Sequence, residues 1–140
     1  MRIGCILVLY NPDLNVLSDV IFSIIKQVNK LFIIDNSKKK NDIEFLNHKK
    51  IKYKFLNKNI GIAAAQNYGI EYFSKLNYDY LFFMDQDSIV SEKLIDNLVE
   101  STIFLNKKGY KTAVVCPTAV NKHDGLVYSE KYPIIKKIKL

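Results

Sequence analysis

Long apolar runs are missing from this chain: no stretch approaches the roughly 20 consecutive apolar residues that a membrane-crossing helix needs. The apolar opening, residues 3–10, meets Asn11-Pro12-Asp13 where a secretory leader would offer small residues for cleavage. It therefore reads as a strand, and the protein as cytoplasmic. Cysteine is scarce. Cys5 and Cys116 stand alone in apolar segments expected to be strands, which points to small buried hydrophobes and not to a disulfide or metal pair. His48 and His123 have no cysteine or second histidine nearby, which disfavours zinc. No glycine-rich dinucleotide fingerprint follows the first strand, and no phosphate loop ends in Gly-Lys-Ser or Gly-Lys-Thr. A Rossmann dehydrogenase and an ordinary ATPase are disfavoured accordingly. Repeats and low-complexity linkers are absent too.

What remains is an ordinary globular composition: 140 residues, 49% hydrophobic and 25% charged. The net charge of +7 invites a nucleic-acid reading, but its distribution argues against one. The lysines gather at Lys38-Lys39-Lys40, over residues 49–58, and at Lys131, Lys136, Lys137 and Lys139. No stacking aromatics alternate with them as in a single-strand-binding module, so no nucleic-acid partner is expected. Such a surface is either simply solvated or drawn to an anionic membrane leaflet or substrate.

Strand and helix patterns alternate along the chain. Residues 3–10 form a near-continuous apolar run, suited to a central parallel strand. A helix should follow from Leu14, capped by Asp13, with a buried stripe at Leu14, Leu17, Ile21, Ile24, Ile25 and Val28. Further strands are expected at 31–34, 51–56, 80–84 and 112–116. A short helical stretch is expected around 42–48, a helix with a small-residue first turn over 61–73, and a helix from about Ser91 to Lys107. The buried side of that last helix should carry Leu94, Ile95, Leu98, Ile103 and Leu105, and Gly109 should stop it. Tyr68, Tyr72, Phe73, Tyr78 and Tyr80 read as helix and sheet core. Connections this short imply an α/β fold: a doubly wound, mostly parallel sheet with helices on both faces. Residues 1–118 read as one α/β domain. Residues 119–140, with Val127-Tyr128 as a short strand, read as the start of an incomplete segment with a basic tail, so the chain reads as truncated.

Polar groups fall at the carboxyl ends of the expected strands, where open α/β sheets bind ligands. They are Asn11 and Asp13; Asp35, Asn36 and Ser37; Asn57 and Asn59; and Asp85, Asp87 and Ser88. Each group could be mere turn and cap chemistry. Asp85 and Asp87 carry more weight: two carboxylates one residue apart, straight after five apolar residues, repel each other unless a cation joins them. A divalent metal shared with a diphosphate answers that problem. Gln86 between them is expected to point away and hold the loop. Asp35 can accept from the N–H of a base or from a ribose hydroxyl. Lys58, or the first turn of the helix after Gly61, could meet a diphosphate.

Four stretches then carry a resemblance: Val8-Leu9-Tyr10-Asn11-Pro12, Ile34-Asp35-Asn36-Ser37, the segment from Asn59-Ile60-Gly61 to Asn67-Tyr68-Gly69-Ile70, and Phe83-Met84-Asp85-Gln86-Asp87-Ser88. Their order and spacing resemble the family 2 glycosyltransferases. Asp-Gln-Asp-Ser and the Gly-Ile-Ala-Ala-Ala helix start look most like the bacterial rhamnosyltransferases, which use dTDP-rhamnose to build O-antigen and other surface polysaccharides. The resemblance implies a GT-A nucleotide-diphospho-sugar transferase fold and inverting, metal-dependent sugar transfer to a polysaccharide or lipid-linked saccharide. It implies that Asp35 contacts the base and that Leu9, Tyr10 and Asn11 line the nucleoside pocket, with Asn59, Gly61 and Asn67 at its edge. Asp85 would meet ribose or metal-bound water, and Asp87 would coordinate Mg2+ or Mn2+.

The resemblance also implies a downstream general base, often in an acidic pair. Glu92, Asp96, Glu100, Asp124 and Glu130 are the acids after Asp87, and none fits that pattern, so the catalytic base is unassigned. A donor-binding module that transfers nothing alone is the rival account. An Asp-any-Asp phosphotransferase fits less well, because Asn11 stands where a nucleophilic aspartate would follow the first strand. A receiver-like domain fits less well because it needs an acid pair and a phosphate-accepting aspartate at earlier strand ends, and a lysine after a late strand. A homodimer and peripheral contact with the inner face of the membrane complete the expected partners.

Overall fold

The computed structural model describes residues 1–121 and 124–127. Four strands, β1 (Ile3–Leu9), β2 (Lys30–Asp35), β3 (Ile51–Phe55) and β4 (Tyr80–Met84), make one sheet in the order β3-β2-β1-β4. Every pairing is parallel. β1 buries all but one of its residues, as a central strand covered on both faces must.

The strand order dictates where the helices lie. The chain steps outward from β1 to β2 to β3, then returns across the sheet to β4. Right-handed crossovers in opposite directions put α1 (Leu14–Ile25) and α2 (Ile62–Ser74) on opposite faces. On the α2 face, Ile6, Phe32, Ile34, Ala65 and Phe73 form one buried cluster. Two glycines make that approach close: a Cβ at Gly69 would sit 2.7 Å from Ile6, and one at Gly4 would sit 2.6 Å from Phe73. The alternate residues Cys5, Leu7, Leu9, Leu31 and Ile33 are fully buried on the other face, where α1 contributes Leu17, Val20, Ile21 and Ile24. The doubly wound α/β expectation is met.

Local signals hold at several points. The Asp13 carboxylate caps α1, accepting from Asn15 N at 2.9 Å. A single 3-10 turn, Glu44–Asn47, stands where a short helical stretch was expected. Near the end of α1, Ser23 and Gln27 hold the approach to α3 (Leu94–Lys107). Ser23 Oγ accepts from Val90 N at 3.2 Å, and the Gln27 amide bonds Ser91 O at 2.9 Å and Ile95 N at 3.2 Å. Gly109 ends α3 at φ 87°, with Tyr110 N donating to Leu105 O at 3.1 Å.

Three expectations are corrected. Residues 112–116 form no strand; Val114 is 78% exposed and Cys116 is exposed. Apolar, β-branched residues suit a strand, but only a neighbouring ladder makes one, and this run has none. Cys116 is therefore no buried hydrophobe, whereas Cys5 is, and burial pushes its thiol pKa upward. On α3 the buried row runs through Ile95, Val99 and Thr102, which turns Ile103 outward.

The chain divides into two compact units, Met1–Asp96 and Asn97–Leu140, and the sheet lies wholly in the first. In the second, Val127 makes an isolated antiparallel bridge to Val120. Tyr128, His123, Glu130 and the C-terminal lysines lie outside the described residues. No helix among the described residues is long and apolar enough to cross a membrane.

Candidate functional site

Parallel strands end together, so the loops after β1, β2, β3 and β4 meet at one edge of the sheet. Their polar side chains tie those loops to each other. Asn36 N donates to Leu9 O at 2.7 Å, and Asn11 N donates to Ser37 Oγ at 2.9 Å, joining the ends of β1 and β2. The Asn36 amide reaches the loop before α2. Its Nδ2 donates to Asn59 Oδ1, and its Oδ1 accepts from Ile60 N, both at 2.9 Å. Asn59 Oδ1 also accepts from Gly61 N at 2.9 Å. Gln86 bonds the Tyr10 peptide, accepting from Tyr10 N at 2.8 Å and donating to Tyr10 O at 3.2 Å. Gln86 does hold its loop.

Asp35 is the buried centre of this edge. It has no exposed surface, and its Oδ2 accepts from Tyr53 Oη at 2.7 Å and from Asn41 Nδ2 at 2.8 Å, while Oδ1 accepts from Ser37 N at 3.0 Å. Burial is the largest single influence on its pKa and raises it. The hydrogen bonds from Tyr53, Ser37 and Asn41 together outweigh that and hold the carboxyl below its ordinary value. Tyr53 is pushed the other way, by burial first and then by the Asp35 carboxylate. Tyr53 and Asn41 were not singled out from sequence. They converge on Asp35 only through the register that sets Ile33 beside Tyr53 and through the closure of the 37–41 loop.

Beside this network opens a cleft of about 490 Å³, lined by Val8, Tyr10, Asn36, Asn59, Gly61, Ile62, Asp85, Gln86 and Asp87. Of the residues expected at a site, the structure brings Tyr10, Asn59, Gly61, Asp85 and Asp87 together here. Leu9, Asn11, Asp35 and Asn67 are off the lining: Leu9 and Asp35 are fully buried, and Asn11 and Asn67 are exposed elsewhere. Lys58 is exposed and also off the lining. Val8 and Ile62 are additions that needed the fold. Asn36 and Gln86 stood inside quoted motifs, so their positions were visible although a cleft-lining role was not.

The chemistry of the cleft is lopsided. Two carboxylates, Asp85 and Asp87, face it, and no lysine or arginine lines it. Opposite charge comes from the start of α2, whose N-cap Gly61 (φ 84°) offers no side chain to the first-turn amides. That helix end carries partial positive charge and unpaired donors. Among the described residues no cluster of three or more His, Cys, Asp or Glu side chains could hold a metal. The available set is the two carboxylates of Asp85 and Asp87. Such a set suits an ion that takes one or two carboxylates and completes its shell with phosphate oxygens and water.

A family profile described as Glycosyl transferase family 2 matches residues 5–139. The chain belongs to that family. The chain is also similar to dTDP-rhamnosyl transferase RfbF of Shigella flexneri, with 33% identity over 103 residues, covering 69% of this chain and 33% of that protein. It thus spans about a third of the length of that relative. For a family 2 glycosyltransferase domain, the parallel sheet with helices on both faces is the GT-A-like arrangement expected, and the cleft sits at the carboxyl ends of its strands.

Proposed function

We propose that this family 2 chain binds a nucleoside diphosphate sugar in the cleft beside Asp85 and Asp87, and that the donor is dTDP-rhamnose. The proposed reaction is inverting transfer of the sugar to a saccharide or lipid-linked saccharide acceptor. One observation carries the reading: two carboxylates share a cleft with an uncapped helix start, and no basic side chain lines it. A diphosphate there would meet donors from α2 and repulsion from the two aspartates, which a Mg2+ or Mn2+ held by them would offset. Asp85 and Asp87 would hold that ion, which supplies Lewis-acid stabilisation to the departing nucleoside diphosphate. Asn59 keeps its Nδ2 free of partners among the described residues, so it has two N–H groups to offer a base carbonyl or ribose oxygen. The choice of thymidine and rhamnose is supported by the name of the Shigella relative, a dTDP-rhamnosyl transferase.

Mn2+ broadens the NMR signals of nuclei near it. With dTDP present, the amides of residues 85–88 should broaden first, and Asp87→Ala should abolish the effect while the spectrum of the core is retained. Broadening centred elsewhere, or unchanged in the variant, removes the metal assignment.

A second reading, donor binding without transfer, is favoured by the acids that follow Asp87. Glu92 and Asp96, the acids of the first unit that follow Asp87, are exposed and off the cleft. It predicts dTDP binding with no release of dTDP from dTDP-rhamnose in the presence of saccharide acceptors. Release would exclude it.

A further inference from the structure

The paired part of β1 and β4 ends at Leu7 and Met84, three residues short of Tyr10. Past that point the strand ladder stops, yet the Tyr10 peptide is not left open. Gln86 takes its N–H at 2.8 Å and its C=O at 3.2 Å, so one side-chain amide does what the next rung of the sheet would do. Both ends of the amide are used, and a donor at one and an acceptor at the other fix which way it faces.

The turn that carries Gln86 has little else to define it. Its own closing bond, Ser88 N to Asp85 O, is long at 3.5 Å. Asp85 and Asp87 flank Gln86 and are both exposed, and their carboxylates accept no hydrogen bond among the described residues. Left alone, two such carboxylates would separate into solvent. We propose that Gln86 is a positioning residue: by clasping the Tyr10 peptide it holds the 85–88 turn against β1, so that both carboxylates face one ion in the cleft. The inference rests on the metal-dependent donor site proposed above. It adds that the metal response depends on a residue that does not touch the metal.

Gln86→Met keeps the length of the side chain and removes both hydrogen bonds; Gln86→Glu keeps only the acceptor for Tyr10 N. Two measurements on the full chain test the clasp. Amide hydrogen exchange at Tyr10 should quicken by about tenfold or more in Gln86→Met and less in Gln86→Glu, with no change at the core of β2. In calorimetric titrations with dTDP, the ratio of affinities with and without Mn2+ should fall by about tenfold in Gln86→Met, the effect of losing roughly two ordinary hydrogen bonds. A merely structural role would move thermal stability and leave that ratio alone. Unchanged Tyr10 exchange overturns the clasp, and an unchanged Mn2+ ratio overturns the positioning role. A parent chain with no Mn2+ response overturns the metal reading and the positioning role with it, while the exchange result still decides the clasp.

Discussion

Asp35 shows how one side chain can be marked by sequence while its working environment is not. Its place at the end of an apolar strand pointed to the ligand edge of the sheet, and it does lie there. In the folded chain, however, its carboxylate is spent on Tyr53, Ser37 and Asn41, and those partners come from a separate strand and from loop closure. With no exposed surface, it is out of a base's reach unless the residues that cover it move. Because the folded pKa of Asp35 is depressed, its stabilisation is present above its unfolded value, about 3.9, and is lost as pH falls through the folded value. Tyr53→Phe removes one charge-assisted bond and should cost about 1–3 kcal/mol at neutral pH. It should also shrink the loss of stability on acidification, because the folded pKa moves back toward the unfolded one. Urea unfolding of both proteins at about pH 6 and about pH 3 measures this. Equal stability at neutral pH would leave the Tyr53–Asp35 bond without a stabilising role.

At the scale of elements, α2 was the most ambiguous segment in the sequence. Its run of small residues is compatible either with ligand approach or with tight packing, and the structure divides the two along the helix. Gly61 lines the cleft, Ala65 and Gly69 are buried against the sheet, and Ala63 and Ala64 are exposed. Periodicity alone could not assign them, because the split depends on which turn lies over β1. Gly69→Ala tests the packing half. The new methyl meets all three outer carbons of the fully buried Ile6 within 2.9 Å. Overpacking of that kind costs about 1–3 kcal/mol, which exceeds the gain of about 1 kcal/mol from better helix propensity. Thermal unfolding should therefore show a net loss, and a smaller one in an Ile6→Ala background, which removes all three of those carbons. A more stable Gly69→Ala would mean that α2 does not lie so close. The expected strand over 112–116 fails for the complementary reason: a strand is a relation between segments, and an apolar run states only one side of it.

For the whole molecule, the alternation of strands and helices was enough to give the class of fold, because short crossovers of one hand leave few arrangements. It could not give the strand order β3-β2-β1-β4, and that order is what gathers the ends of β1 and β4 with the start of α2 at one cleft. The excess of lysine proved uninformative about the cleft, which no lysine lines; Lys52 and Lys54 instead lie over Tyr72 and Tyr68 on the edge strand. The chain is proposed to be the donor-binding part of a family 2 glycosyltransferase. Calorimetric titration of the purified chain with dTDP, UDP and GDP, each with and without Mn2+, tests it most directly. dTDP should bind best, and Mn2+ should strengthen the binding. Absence of binding by all three nucleotides, with or without Mn2+, would contradict the proposal.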